Sequence, residues 1–195
     1  MLLIKKLHKY FKNKFNLSEP DSIKVKYSLE IIIGDLSKFI ILFILFLMLG
    51  KINDFIYSTL TLLTIRLFTG GLHFSTYKGC IIFSSIFFYT SIFLKNYVVL
   101  NKFILITLFA FSILTVITLA PICGNSRPDY SYKKIRQFKL ISVITICIHF
   151  LIYVFTHKNP YIINSIWVIT LQSLQMLVGK GVQVYAKKVN HKKTI

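Results

Sequence analysis

The sequence predicts an all-α polytopic membrane protein, with about six transmembrane helices preceded by an N-terminal amphipathic interfacial helix. Three observations predict it. Of 195 residues, 55% are hydrophobic and only 15% charged, whereas a soluble domain carries about a quarter charged residues. The apolar residues fall in long runs. Lys and Arg number 24 against 6 acidic residues, a net charge of +18, and they gather between those runs. Disorder is excluded, because it needs low hydrophobicity. Cys80, Cys123 and Cys147 are too few for a disulfide scaffold. The cations do not lie along one polar face, so their excess reads as membrane topology and not as a nucleic-acid footprint. At this length the expectation is a single integral membrane domain over residues 1–195.

Residues 1–30 form a cytoplasmic amphipathic region. Leu3, Leu7, Phe11 and Phe15 recur at every fourth position with Lys5, Lys9 and Lys12 between them. That pattern suits a helix lying on the lipids of an anionic inner leaflet; packing on the bundle is the alternative. No small-residue cleavage site follows the first apolar run, so this region does not read as a signal peptide. Ser18, Glu19, Pro20 and Asp21 mark a break and a new helix start.

Membrane helices are expected within residues 31–178. The apolar runs are Ile31–Leu49, Phe55–Phe68, Ile81–Leu94, Phe103–Ala120, Leu140–Phe155 and Ile162–Val178. A spanning helix needs about 20 residues, so the second and third runs are short. Flanking polar residues, local thinning or a re-entrant path over 55–80 would make up the difference. Lysines at 5, 6, 9, 12, 14, 24 and 26, the cations of a basic loop over 121–139 and those of a basic tail over 179–195 fall on one side of six spans. The other side has only Lys51, Lys95, Lys102 and Lys158. The positive-inside rule then puts both termini, and the segment 66–80, at the cytoplasmic face.

Segment 66–80 is the candidate for chemistry. It holds Arg66, Gly70, Gly71, His73, Lys78, Gly79 and Cys80. A cysteine nucleophile acts as its thiolate, and a neighbouring His can serve as base and then acid. Arg66 and Lys78 either supply positive potential or anchor by snorkelling. On one straight helix His73 and Cys80 would share a face about 10 Å apart, so a working pair requires a bend, which Gly70-Gly71 and Gly79 permit. By itself this spacing is equally that of an embedded Cys and an interfacial His.

Elsewhere, Asp35 and Lys38 lie within the first apolar run and are spaced to neutralise each other. Glu30 and Asp35 are the best-placed acids to orient His73 or hold a substrate, and Asn125 and Asp129 are further orienting candidates. Cys147 and His149 read as helix lining and Cys123 as packing. No paired Cys or His motif supports a metal site or other cofactor.

Arg66, the run Gly70-Gly71-Leu72-His73 and Cys80 resemble the signature of the accessory gene regulator B (AgrB) family. Ala120-Pro121, Arg127-Pro128 and the basic run that follows, with Lys133, Lys134 and Arg136, match a second stretch, and the layout matches throughout. The resemblance implies a bacterial membrane cysteine endopeptidase for quorum sensing, with His73 and Cys80 as catalytic pair and Arg66, Gly70 and Gly71 supporting them. It implies an AgrD-like propeptide substrate with an acidic C-terminal tail, a cyclic thiolactone or lactone product, and a homodimer. Arg127, Lys133, Lys134 and Arg136 are placed to attract the acidic tail. Phe74 departs from the small Ala common in the family after the His, which bears on the substrate groove. The rival classes are a non-catalytic peptide transporter or exporter subunit and a lipid- or phosphate-binding scaffold.

Overall fold

The computed structural model describes residues 2–72, 76–122, 130–156 and 159–193, with side chains from 4 to 185 within those ranges. They form seven helices: α1 (Leu2–Lys14), α2 (Glu19–Met48), α3 (Ile52–Thr69), α4 (Tyr77–Tyr97), α5 (Lys102–Leu119), α6 (Tyr132–Thr156) and α7 (Pro160–Lys193). The chain divides into two compact units, 1–50 and 51–195.

The first unit is a pair of helices. Ser18 caps α2 by accepting from the Asp21 N–H, with Pro20 in the first turn, so the helix start expected at 18–21 is where it was read. His8 Nε2 lies 2.8 Å from Ser22 Oγ and 3.0 Å from its carbonyl, and Lys12 pairs with Glu19 at 2.5 Å. These contacts dock α1 on the first turns of α2, while Lys5, Lys6 and Lys9 stay exposed. Asp35 and Lys38 do form the expected ion pair, at 2.5 Å.

The second unit is built around α7, which packs against α3, α4, α5 and α6. Of its membrane-length stretch, 67% is buried, against 17–22% for α4, α5 and α6. Polarity runs opposite to that of a soluble protein. Ile82, Ile86, Tyr89 and Phe93 make an exposed stripe on α4, and Leu140, Ile144, Ile148 and Leu151 another on α6. Ser91, Ser112, Ser142, Asn164, Gln172 and Ser173 are buried. Lipid tails solvate the apolar stripes, while small and polar residues join the helices. The apolar centre comprises Ile65, Val116, Ala120, Ile122, Ile146, Ile169 and Met176.

Among the described residues, five helices (α2, α4, α5, α6 and α7) are long and apolar enough to cross a membrane, which makes this a multi-pass membrane protein. The third expected span is no longer short. Tyr77, Lys78 and Lys95 continue α4 to 21 residues, about 31 Å at 1.5 Å per residue. α3 has the same 18 residues as α5 but is less apolar. Four of its polar residues are turned inward: Asp54, Ser58, Thr61 and Thr69 lie on its buried face with Phe55 and Ile65. Asp54 pairs there with Lys95 at 2.5 Å, both side chains only 10–11% exposed. Asn164 Nδ2 donates to Ser58 Oγ at 2.7 Å. The tail read as starting at 179 continues α7 as helix through Lys193.

Candidate active site

The site forms where α3 ends. Its last turn carries Arg66 and Thr69, and the helix stops because Gly70 takes φ +69°, ψ −154°, a backbone conformation essentially reserved for glycine. This turn lets the chain run alongside residues 120–122. Ile122 N–H donates to the Thr69 carbonyl at 2.8 Å, and Gly70 and Ile122 make an isolated parallel bridge. A Cβ on Gly70 would lie 2.0 Å from the Ile122 carbonyl oxygen. The two stretches that the sequence offers separately, Gly70-Gly71 and Ala120-Pro121, are therefore one structural feature. The Ala120–Pro121 peptide bond is cis.

Arg66 is half-buried and committed. Nη1 donates to Gln175 Oε1 at 3.1 Å, and Nη2 to the Leu72 carbonyl at 3.3 Å. The guanidinium clasps the chain at the residue directly before His73. Gln172 Nε2 donates to Thr69 Oγ1 at 3.0 Å and to the Gly70 carbonyl at 2.7 Å. Gly71 is buried, and a Cβ there would meet Arg66 Cζ at 3.1 Å and Gln175 Nε2 at 3.3 Å. Gln172, Gln175, Met176 and Gly179 recur at i, i+3, i+4 and i+7, so one stripe of α7 faces this segment. Ile122 and Leu72 both reach Gly179, at 3.7 and 3.8 Å from where its Cβ would be.

Beyond the segment, Thr76 caps α4: its hydroxyl accepts from Gly79 N–H at 3.2 Å, and its carbonyl from Cys80 N–H at 3.1 Å. Cys80 is half-buried in the first turn of α4, at the helix end whose partial positive charge favours anions. Lys78, in the same turn, is exposed. α3 ends at Thr69 and α4 begins at Tyr77, so no straight helix runs from 66 to 80 and the expected break is present.

Lys133, Lys134 and Arg136 lie exposed in the first turns of α6. Lys134 Nζ sits 5.0 Å from the Tyr130 ring centre and 5.8 Å from that of Phe138, and Phe138 packs edge-on against Phe68. Aromatic contacts thus bring the start of α6 to the last turn of α3. Glu30 and Asp35 lie exposed on α2, in the first unit. His149 approaches the Thr64 hydroxyl at 3.2 Å, a helix-to-helix contact in keeping with a lining role. His73, Phe74, Cys123, Asn125, Arg127 and Asp129 lie outside the described residues.

Gln172 and Gln175 were not among the sequence candidates. Two amides three apart on the most buried helix are the signal that would have found them, since polar groups at membrane depth face partners in the bundle. Among the described residues, no cluster of three or more His, Cys, Asp or Glu could hold a metal ion.

Comparison with known proteins agrees with the layout. The chain is 34% identical over 182 residues to an AgrB-like protein of Clostridium beijerinckii, covering 91% of this chain and 89% of that one. It is 27% identical over 136 residues to an AgrB-like protein of Listeria innocua, covering 68% and 67%. No solved structure matches. The family model for accessory gene regulator B matches residues 4–177, and the chain belongs to the AgrB family.

Proposed function

We propose that this protein is a membrane-embedded cysteine endopeptidase that removes the C-terminal tail of an AgrD-like autoinducer propeptide and helps close the remaining peptide into a ring. The observation that carries the reading is the placement of Cys80. It occupies the capped first turn of α4, a few residues beyond a segment clasped by Arg66, Ile122 and Gln172. Family membership supports the substrate class.

His73 takes the Cys80 thiol proton, and the thiolate attacks the peptide carbonyl at the signal–tail junction. Backbone N–H groups at the start of α4, other than those of Gly79 and Cys80 that Thr76 engages, stabilise the tetrahedral oxyanion. The C–N bond breaks as His73 protonates the leaving amine, and the acidic tail departs from a Cys80 thioester. A thiol or hydroxyl within the peptide then attacks that thioester, giving a thiolactone or lactone and returning the proton to Cys80. For a thiol the exchange is close to energy-neutral, so no ATP is needed. Water must be excluded at this stage, because hydrolysis would give a linear acid.

On this reading α3 is the sixth span, its polar stripe hidden against α7. Both termini and the site face the cytoplasm, where cations are in excess, and Lys133, Lys134 and Arg136 attract the acidic tail. The protein works in a bacterial cell membrane as a homodimer, and α1 rests on the inner leaflet.

Co-expression with the cognate propeptide, followed by mass spectrometry, tests the reading. That propeptide should be a neighbouring short frame with an amphipathic start, a central Cys or Ser and an acidic end. Cys80→Ala and His73→Ala should abolish tail release, while Cys147→Ala should retain it. Tail release by Cys80→Ala would defeat the proposal, as would full activity in Cys80→Ser. Intact peptide crossing proteoliposomes without cleavage would favour a transporter.

A further inference from the structure

We infer that Gln172 and Gln175 of α7 are positioning residues for this reaction, holding residues 69–72, the stretch that directly precedes His73 in the sequence. The inference rests on the peptidase reading above. Among the described residues between α3 and α4 are two adjacent glycines, which have no side chain to fix their path. Thr69 Oγ1 donates to the Gly70 carbonyl at 3.2 Å, and the other ties come from Arg66, Ile122 and α7. Gln172, fully buried, donates to Thr69 Oγ1 and to the Gly70 carbonyl. Gln175, 4% exposed, accepts from Arg66, and Arg66 holds the Leu72 carbonyl. The two amides thus act at successive points of one short stretch, one directly and one through the guanidinium.

The two amides use opposite ends. Gln172 works through its Nε2, while its Oε1 has no hydrogen-bond partner among the described residues. Gln175 works through its Oε1, while its Nε2 has none among the described residues. Replacing each by Glu therefore has opposite consequences. In Gln175→Glu a carboxylate oxygen still accepts from Arg66, more strongly because both partners are charged, and the nitrogen lost had no partner. In Gln172→Glu the donor vanishes, and a carboxylate is set against two oxygens that had accepted from it. A side chain that only filled space in the helix interface would not distinguish the two substitutions.

The test uses the full-length protein in proteoliposomes with the cognate propeptide, measuring kcat and KM for tail release beside the thermal midpoint of each variant. Gln175→Met and Gln172→Glu should lower kcat by roughly 100-fold, the scale of an ångström of misplacement at a reacting centre, with KM little changed. Gln175→Glu should recover most of the loss seen in Gln175→Met. Rates of Cys80 alkylation across pH should change in Gln175→Met and return in Gln175→Glu. Equal kcat in Gln175→Met and wild type overturns the inference. So does equal loss in Gln175→Glu and Gln175→Met, or a loss of kcat that follows the loss of folded protein. Cys80→Ala separates the two levels: tail release in that variant overturns the peptidase reading as well, whereas an inactive Cys80→Ala beside a fully active Gln175→Met overturns the positioning role alone.

Discussion

Gly70→Ala is the sharpest single perturbation of the site, because two independent features of that position forbid a side chain. The backbone angles, φ +69° and ψ −154°, lie in a region that costs a non-glycine residue about 1–3 kcal/mol. The new methyl would also sit 2.0 Å from the Ile122 carbonyl oxygen and 2.9 Å from its carbon. Those are backbone atoms, so no rotamer change relieves the overlap and the two chain segments must part. Parting them strains the Ile122-to-Thr69 bond and the Gln172 bond to the Gly70 carbonyl, each worth about 0.5–1.5 kcal/mol net. The combined cost is roughly 2–6 kcal/mol, a large share of the 5–15 kcal/mol that holds an ordinary domain together. Tail release should fall about 100-fold or more, and the thermal midpoint measured by fluorescence-detected size exclusion should drop. Gly179→Ala is the matched control. Its methyl would meet Ile122 and Leu72 side chains at 3.7–3.8 Å, an ordinary contact, and should stabilise α7 by up to about 1 kcal/mol. A Gly70→Ala protein with wild-type cleavage and melting would refute the account of this turn, as would a Gly179→Ala protein damaged as badly as Gly70→Ala.

Three further outcomes are expected. Gly71→Ala should be milder than Gly70→Ala, with cleavage reduced roughly tenfold for about 1.4 kcal/mol, because its methyl meets the ends of the Arg66 and Gln175 side chains at 3.1–3.3 Å and these can shift; proteoliposome cleavage rates rank the two. Asp54→Asn leaves Lys95 charged and buried without its partner at 2.5 Å, which should cost about 3–5 kcal/mol and lower the melting temperature, whereas Asp54→Leu with Lys95→Met should recover most of it. Lys133→Gln, Lys134→Gln and Arg136→Gln together should raise KM for a propeptide with an acidic tail and flatten its salt dependence, with kcat held; a tail neutralised to Asn and Gln should show no such difference.

What could be read from the sequence was what depends on local order. Each apolar run became a helix, and the Ser18–Asp21 break and the Asp35–Lys38 pair fell where spacing put them. Helix ends were read less well, because apolarity stops at the lipid while hydrogen bonding does not. α2 begins at Glu19, ahead of its apolar run, and α7 runs on to Lys193 through a lysine-rich stretch. α3 was legible as a helix but not as the polar partner of α7, since its hydroxyls and Asp54 lower its hydropathy while lying inside. Within the site, Gly70 and Gly71 were legible as the place of a bend, but the partners that Arg66, Gly70 and Gly71 meet were not. The partners that define them, Gln175 and Gln172, lie 109 and 102 residues further along the chain, and no periodicity connects such positions.

The same distance in sequence explains why the site is built this way. A segment that must bend sharply needs glycine, and glycine gives up more conformational freedom on ordering than any other residue. Two adjacent glycines therefore cannot define a geometry by themselves. In water, a loop of this kind could let solvent satisfy its carbonyls; at the membrane face, and packed against buried Ile122, it must find donors in the protein. α7 is placed to provide them, because it contacts every other helix of its unit and is the most buried of the membrane-length helices. Amides suit the task better than ions there, since an unpaired charge at that depth would cost far more than an unpaired amide. Arg66 is the exception that fits, its charge spread over two fixed acceptors at 3.1 and 3.3 Å. It follows that substitutions which loosen α7 against α3 should lower kcat before they unfold the protein, while substitutions on the lipid-facing stripes of α4 and α6 should do neither.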